Sequence, residues 1–266
     1  MNYETIVEEM NKFVKQSPLN VVQELGIDRI FEPPLIGIAA ADDPLFQRLK
    51  EPTVVGDAYI LPGEWLDGAQ SVISYFLPFT EKIRQANRKK VLPALEWLYG
   101  RIEGQKFNAA LSTHIMDKIN NESSDRAIAP SLDSRFEVKE GFISSWSERH
   151  TAYIAGLGTF SLSRSLITEK GCAGRYGSIV TSLNLPVTER SYNELYEHCS
   201  FCEQCLERCP SRAIKPTGEK QQAGMEKSIC REYINKKIKP RFEPRYGCGK
   251  CQTAVQCEAK IPERVR

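Results

Sequence analysis

The sequence predicts a mixed fold, α/β or α+β, with a small cysteine-rich module at its C-terminal end. Helical and strand-type apolar patterns are interspersed over the first 190 residues, with no internal repeat. Eight of the nine cysteines come after residue 190. The chain has 266 residues, of which 41% are hydrophobic, so it can bury a sizeable core. We therefore expect two domains, residues 1–190 and residues 191–266.

Apolar patterns place the first elements. Ile6 and Met10 fall at helical spacing, so residues 3–15 are predicted to form an amphipathic helix. Residues 35–39 and 71–77 are short apolar runs that are rich in β-branched residues and bounded by proline or glycine. Such runs are typical of buried strands.

The second half of the first domain continues this pattern. Phe107 lies in a further helical pattern, and residues 178–183 form a further strand pattern. Ser145 and Glu148 have the spacing of a capping box, which predicts a helix that starts there. Gly156 is suited to end that helix. The predicted domain is thus a sandwich of helices and strands.

A run of four cysteines opens the second domain. It reads Cys199-Ser-Phe-Cys202-Glu-Gln-Cys205-Leu-Glu-Arg-Cys209-Pro210, which is the ligand run of a bacterial-type ferredoxin. In two-cluster proteins the first three cysteines of this run bind one [4Fe–4S] cube and the fourth binds the other. The run therefore predicts a second half-set downstream, and the sequence supplies Cys230, Cys248, Cys251 and Cys257. Eight thiolates are enough for two cubes, so we expect electron transfer.

Other uses of the cysteines fit less well. Structural zinc needs neither a third cysteine at the same spacing nor a proline after the fourth. Disulfide frameworks suit small secreted chains, whereas this chain is long and starts without an apolar signal segment. The ninth cysteine, Cys172, lies apart from the others and is interpreted as a small free thiol in a turn.

The charge distribution limits the classes of partner. The formal net charge is only +2, which argues against a surface that coats nucleic acid, and no apolar run approaches the length of a membrane span. We therefore expect a soluble protein. Residues 231–266 hold ten Lys or Arg against four Asp or Glu. This excess is either a solvated face or a surface for an acidic redox partner or a phosphate-bearing cofactor.

A glycine loop follows the predicted helix. Gly156 and Gly158 flank Leu157, and glycine lets backbone come close to a partner. The loop lacks the third glycine of a dinucleotide fingerprint and follows a helix instead of a strand. It is therefore either a helix C-cap or a cofactor contact.

Together with the cysteine runs, several segments resemble epoxyqueuosine reductases and, more distantly, corrinoid reductive dehalogenases. The likeness extends over roughly residues 30–257, and the order of the motifs is more specific than any one motif. Besides the ferredoxin run, the segments are Gly68-Ala-Gln-Ser-Val-Ile-Ser, Ala155-Gly-Leu-Gly, Gly177-Ser-Ile-Val-Thr and Tyr246-Gly-Cys-Gly-Lys-Cys-Gln.

The resemblance implies a nitroreductase-like domain that holds cobalamin and a ferredoxin-like domain whose two [4Fe–4S] clusters deliver electrons to the cobalt. Gly156, Leu157 and Gly158 would contact the cofactor, and Arg164 is either a contact to the phosphate or amide groups of its tail or a surface arginine. One cube, nearer the cobalamin, would be held by Cys199, Cys202, Cys205 and Cys257. The outer cube would be held by Cys209, Cys230, Cys248 and Cys251.

The sequence departs from these families at three places. Epoxyqueuosine reductases carry an aspartate as proton donor before the glycine loop, and Phe142 stands at that position here. Glu140, Tyr153 and Tyr75 are the remaining candidate acids. Five residues separate the last two cysteines where the family has three, and Glu258 replaces the usual proline. The chain also ends nine residues after the last cysteine, without the repeat region that helps these reductases hold tRNA.

Three functions follow from this comparison. The first is an oxidoreductase that passes single electrons to a bound corrinoid and reduces a small molecule, but not epoxyqueuosine in tRNA. The second is an electron-delivery protein that reduces the cofactor of a partner corrinoid protein. The third is a flavin-binding nitroreductase-like protein. We expect a low-potential donor such as ferredoxin or flavodoxin, no nucleic-acid partner and, without a twin-arginine signal, a cytoplasmic location.

Overall fold

The computed structural model describes residues 1–89, 92–215 and 224–263. Its strands, in chain order, are β1 (Leu35–Ala40), β2 (Ser71–Pro78), β3 (Ala127–Ile128), β4 (Thr159–Phe160), β5 (Leu166–Ile167), β6 (Gly174–Thr181), β7 (Ile214–Lys215) and β8 (Gly224–Met225). The main sheet is antiparallel and has the order β1-β2-β6-β3. The other strands form two short hairpins, β4-β5 and β7-β8.

The helices are interspersed among these strands, and the predicted mixed fold is confirmed. They are α1 (Tyr3–Gln16), α2 (Pro44–Arg48), α3 (Pro62–Trp65), α4 (Glu81–Asn87), α5 (Leu95–Glu122), α6 (Glu148–Ile154), α7 (Gln204–Arg208), α8 (Lys227–Tyr233) and α9 (Lys239–Phe242). A π-helical turn, Ile234–Ile238, joins α8 to α9. Single 3-10 turns lie at Pro18–Asn20, Gln23–Leu25, Pro130–Leu132, Glu140–Phe142 and Lys250–Gln252.

The N-terminal elements form where the apolar patterns predicted them. The side chain of Asn2 accepts a hydrogen bond from the backbone N–H of Thr5, which caps α1, and the apolar side of α1 is buried. Every residue of β2 is buried, because this strand is central in the sheet and is covered on both faces. The strand predicted at 178–183 is β6, which starts earlier, at Gly174.

The long helix α5 packs across one face of the sheet in the main core. Two of its glycines permit this packing. A Cβ atom on Gly104 would lie 2.8 Å from the ring of Phe31, and one on Gly100 would lie 3.1 Å from the ring of Phe79. The two phenylalanine rings stack with centroids 5.2 Å apart, so they form an aromatic layer between α5 and the sheet.

The predicted capping box at the start of α6 is wrong. Ser147 is the N-cap residue, and the helix begins at Glu148. The hydroxyl of Ser145 accepts a hydrogen bond from the backbone N–H of Glu137, and the Glu148 carboxylate accepts one from Ser178. Ser145 and Glu148, which the local spacing predicted to pair through a capping box, therefore form hydrogen bonds with distant residues instead. Gly156 does follow the end of the helix, with a left-handed φ of 81°.

The cysteine-rich segment packs on the first part of the chain through buried polar contacts. The ammonium group of Lys250 is buried and donates to the backbone carbonyls of Asn87 and Lys89, at 3.0 and 2.7 Å. Arg245 forms an ion pair of 2.8 Å with Glu103 on α5. These contacts fix the segment that carries the last cysteines against α4 and α5. Among the described residues, none of the helices is both long and apolar enough to cross a membrane.

Candidate functional site

One group of four cysteines lines a narrow cavity beneath the β4-β5 hairpin. Its members are Cys199, Cys202, Cys205 and Cys257. Phe201 and Glu203 have φ angles of 53° and 58°, in the left-handed region that side chains rarely adopt. These two turns coil the chain so that the first three cysteines face the same space, and α7 begins immediately afterwards.

A second group lines a neighbouring cavity of about 330 Å³. Its members are Cys209, Cys230, Cys248 and Cys251. Glycines on both sides of Cys248 let its loop lie against α5. A Cβ atom on Gly249 would lie 1.9 Å from the indole of Trp97, and one on Gly247 would lie 2.3 Å from Arg101. The structure thus gathers the eight cysteines into two groups of four, and their role as ligands stays a prediction.

Burial favours the protonated form of two of these thiols, one in each group. Burial raises the pKa of Cys205 to about 12 and that of Cys248 to about 11. Metal binding would therefore release protons from them. Within the described ranges, no three His, Cys, Asp or Glu side chains are close enough to share a single metal ion. A [4Fe–4S] cube does not need three side chains at one metal ion, because each thiolate bonds a different iron. The all-sulfur donor set suits such a cube.

Cys172 is not isolated in a turn, as its place in the sequence suggested. It is fully buried in the apolar cluster that contains Cys199, Cys205 and Cys257. Its sulfur lies 3.8 Å from that of Cys257. This proximity depends on pairing between distant parts of the chain, and nothing in the local sequence signals it.

A third cavity, of about 470 Å³, opens beside α6. Tyr153, His150 and Phe160 form part of its wall. Burial, together with nearby positive charge, lowers the pKa of His150 to about 4, so its imidazole is neutral at pH 7. Burial raises the pKa of Tyr153, so its hydroxyl is protonated at pH 7.

Three cations connect this cavity to the second cysteine group. Arg149, Arg164 and Lys227 line both the 470 Å³ cavity and the 330 Å³ cavity. The guanidinium of Arg149 donates to the backbone carbonyl of Arg164 at 2.7 Å, which fixes the two residues relative to each other. Tyr196 lines a different part of the 470 Å³ cavity and packs against the apolar cluster around Cys199. The second cysteine group thus shares three wall residues with this cavity, whereas Tyr196 lies between the cavity and the apolar cluster around Cys199.

The glycine loop is closely packed by protein atoms. A Cβ atom on Gly156 would lie 3.1 Å from the side chain of Thr188, and one on Gly158 would lie 2.0 Å from the backbone oxygen of Ile167. Leu157 packs against the apolar cluster that contains Phe160. Packing alone accounts for both glycines. Of the four predicted cofactor contacts, Arg164 is the one placed on the wall of both larger cavities.

The candidate acids occupy three different environments. Tyr75 is buried between β2 and α5, where its hydroxyl lies 2.6 Å from that of Ser112, and burial raises its pKa. Glu140 is exposed on the surface. Tyr153 alone among the three lines a described cavity. The sequence placed these residues together as candidates, but the fold separates them.

Glu148 is an ionisable residue that the sequence assigned only to capping. The hydroxyl of Ser178 donates to its carboxylate at 2.6 Å, and the indole N–H of Trp146 donates to the same hydroxyl at 2.8 Å. Burial outweighs these hydrogen bonds and raises the pKa of Glu148 to about 7. Ser178, a polar residue within the apolar part of β6, is the sequence feature that could have indicated a buried polar partner for Glu148.

Comparison with known proteins confirms the resemblance that the motifs indicated. An epoxyqueuosine reductase from Synechocystis sp. is 38% identical over 88 residues, which cover 32% of this chain and 27% of that protein. The fold is similar to that of an epoxyqueuosine reductase solved with a tRNA-Tyr epoxyqueuosine-modified stem loop, with a TM-score of 0.55 and 17% identity, over 96% of this chain and 64% of that one.

The same fold recurs in a catabolic reductive dehalogenase, with a TM-score of 0.60 and 13% identity, over 97% of this chain and 37% of that one. No protein-family model matches the chain. The chain thus spans less than two thirds of the length of these relatives. It resembles the epoxyqueuosine reductases in sequence over a limited region and shares the fold of both groups.

Proposed function

We propose that this protein is an iron–sulfur oxidoreductase that passes single electrons through two [4Fe–4S] clusters to a corrinoid and thereby reduces a small molecule. The observation that carries the proposal is the gathering of eight cysteines into two groups of four, each of which lines its own cavity. The fold that the chain shares with epoxyqueuosine reductases and reductive dehalogenases supports it. We also propose that residues 1–190 form a nitroreductase-like domain and that residues 191–266 form a ferredoxin-like domain.

The two cysteine groups would hold the two cubes. Cys199, Cys202, Cys205 and Cys257 would hold one, and Cys209, Cys230, Cys248 and Cys251 the other. When bound, a corrinoid supplies a cobalt centre that accepts single electrons and transfers them to a substrate. Arg149, Arg164 and Lys227 would contact its amide and phosphate groups, because guanidinium and ammonium groups donate hydrogen bonds to such oxygens.

Anaerobic reconstitution tests the cluster content. The purified chain should bind close to eight irons and give an axial electron paramagnetic resonance (EPR) signal when reduced. Four irons, or none, would contradict the two-cube assignment.

Added cobalamin tests the cofactor. Its visible spectrum should shift to the base-off form when the protein is added, since related reductases bind it with the base detached. Arg164→Ala should weaken this binding about tenfold, the loss of about one charge-assisted hydrogen bond. The exposed Lys12 provides a matched control, because Lys12→Ala removes a cation that does not line the cavity. Flavin that copurifies with the chain would favour the flavin-binding alternative.

Tyr153 would donate the proton that accompanies the electrons. It lines the cavity, and its raised pKa keeps the hydroxyl protonated at neutral pH. Tyr153→Phe should leave cobalamin binding unchanged and slow the reduction of a halogenated phenol at least tenfold, with titanium(III) citrate as the electron source. An unchanged rate would exclude Tyr153 as the donor.

An exposed basic segment next to α8 would receive the electron donor. Lys236, Lys237, Lys239 and Arg241 are exposed, and α8 carries Cys230 of the second group. An acidic ferredoxin or flavodoxin would be attracted to this surface. Replacing these four basic residues with glutamine should slow the reduction of this protein by flavodoxin at least tenfold and make its rate less dependent on salt. The rate of its reduction by dithionite should not change.

An electron-delivery protein without its own substrate is the second candidate. Phe142 occupies the position at which the resembled reductases carry their acid, and the nearby Glu140 is exposed. This arrangement favours a chain that reduces the corrinoid of a partner. Cobalamin whose spectrum does not change on addition of the reconstituted protein would support this candidate over the first.

A further inference from the structure

We propose that Cys172 is a fifth thiol of the first cluster site and that its S–H group donates a hydrogen bond to the sulfur of Cys257. This proposal rests on the proposed function, since it assumes that Cys257 binds a cube. It assigns Cys172 a role in setting how easily that cube is reduced. The proposal is based on the 3.8 Å separation of the two sulfur atoms.

The backbone holds the two cysteines side by side. The N–H of Cys172 donates to the carbonyl of Cys257 at 2.9 Å, and the N–H of Ala173 donates to the carbonyl of Glu258 at 3.2 Å. The side-chain amide of Gln252 donates to the carbonyl of Cys172 at 2.9 Å. Three hydrogen bonds therefore fix the position of Cys172 relative to the segment that carries Cys257.

Close packing before Cys172 adds to this constraint. Gly171 has a φ of 75°, and a Cβ atom there would lie 2.4 Å from the backbone nitrogen of Ala259. Only glycine allows the two segments to approach so closely. The sulfur–sulfur contact thus follows from the path of two backbone segments.

The arrangement places the two sulfur atoms in different roles. Cys257 lines the cavity of the first group, whereas Cys172 is fully buried beside it. Leu162 and Ile167 belong to the same apolar cluster, and a hydrogen bond is stronger in such low-polarity surroundings. Cys257 is therefore placed to bind iron, and Cys172 is placed to donate to the bound sulfur.

A hydrogen bond to a ligand sulfur changes the electron affinity of a cube. Reduction adds one electron, which increases the negative charge on the cluster and its sulfurs. A donor aimed at a ligand sulfur stabilises the reduced form more than the oxidised form, so it raises the reduction potential. Cys172 is a positioning and tuning residue in this scheme, and it forms no bond to iron.

An anaerobic redox titration followed by EPR tests the proposal on the reconstituted full chain. In Cys172→Ala, the first cube should be harder to reduce. Its ratio of reduced to oxidised form at a fixed potential should fall about threefold to tenfold, where tenfold corresponds to 59 mV for one electron. Cys172→Ser keeps a donor and should show a smaller shift. The second cube is the internal control, and Cys202→Ser, which removes the first cube, assigns the signals.

The outcomes separate this proposal from the proposed function. A wild-type protein without two cubes would contradict the function itself. A wild-type protein with eight irons, together with a Cys172→Ala variant whose first cube titrates unchanged, would overturn the hydrogen bond alone. Loss of four irons in both Cys172 variants would also overturn it, because Cys172 would then be required for holding the cube.

Discussion

The guanidinium group of Arg88 donates to both carboxylate oxygens of Glu258, at 2.8 Å from Nη2 to Oε1 and 3.2 Å from Nε to Oε2. Glu258 directly follows Cys257 and stands where the resembled families carry proline. Its carboxylate also accepts a hydrogen bond from the backbone N–H of Ala254, at 2.6 Å. The ion pair therefore ties the C-terminal end of α4 to the loop of the last cysteine.

Glu258→Ala should destabilise the protein and loosen the first cube. The Glu258 side chain is only 6% exposed, so its loss removes the buried acceptor of both Arg88 and the backbone N–H of Ala254, at a cost of about 2 kcal/mol in the free energy of unfolding. We expect faster iron release from the first cube in the presence of a chelator, measured by absorbance. Glu81, which is 47% exposed and also pairs with Arg88, is the matched control, and Glu81→Ala should cost less than about 1 kcal/mol. Equal losses in both variants would contradict this prediction.

Single cysteine variants should separate the two cubes. Cys202→Ser should remove the reducible signal of one cube and leave the other, and Cys248→Ser should do the reverse, because the structure places these residues in different groups. Iron content should fall from about eight to about four in each variant, measured with EPR spectra of the reduced protein. Loss of both cubes, or of neither, would mean that the grouping is wrong.

Gly249→Ala should disrupt the loop that carries Cys248. A methyl group at this position would lie 1.9 Å from the Trp97 ring, and the φ of 65° is itself unfavourable for alanine. We expect a destabilisation of about 3 kcal/mol and loss of the second cube, measured by thermal unfolding and iron content. Gly63 is the control, because a Cβ atom there meets nothing within 4 Å, so Gly63→Ala should leave both quantities unchanged.

The buried carboxyl of Glu148 should make stability depend on pH. Its pKa is about 7 in the folded protein against 4.5 when exposed, so the folded state binds more protons between these values. Stability from this group is therefore present below pH 4.5 and lost as pH rises to 7, by about 3 kcal/mol in total. Glu148→Gln should remove this loss, so the variant should unfold at a higher temperature than wild type at pH 8. The difference should shrink at pH 5, and a constant difference would contradict the assignment.

The sequence predicted the elements whose signals are local. The helical spacing in α1 and the unbroken apolar run of β2 each depend on residues within one segment, and both elements lie where the patterns placed them. The capping-box prediction was wrong because it considered only local spacing. Ser145 and Glu148 have the right spacing, but Glu137 and Ser178 compete for their side chains from elsewhere in the chain.

The sequence by itself thus determined the mixed fold, the helix α1, the strands β1, β2 and β6, and the likeness to epoxyqueuosine reductases. Only the tertiary structure decided that Cys172 lies beside Cys257, that Glu258 binds Arg88, and that Arg149 and Lys227 share a cavity. Spacing and periodicity report on neighbours within a few residues, because those contacts follow from the geometry of one helix or strand. Contacts between distant segments arise only when the packed core brings those segments together.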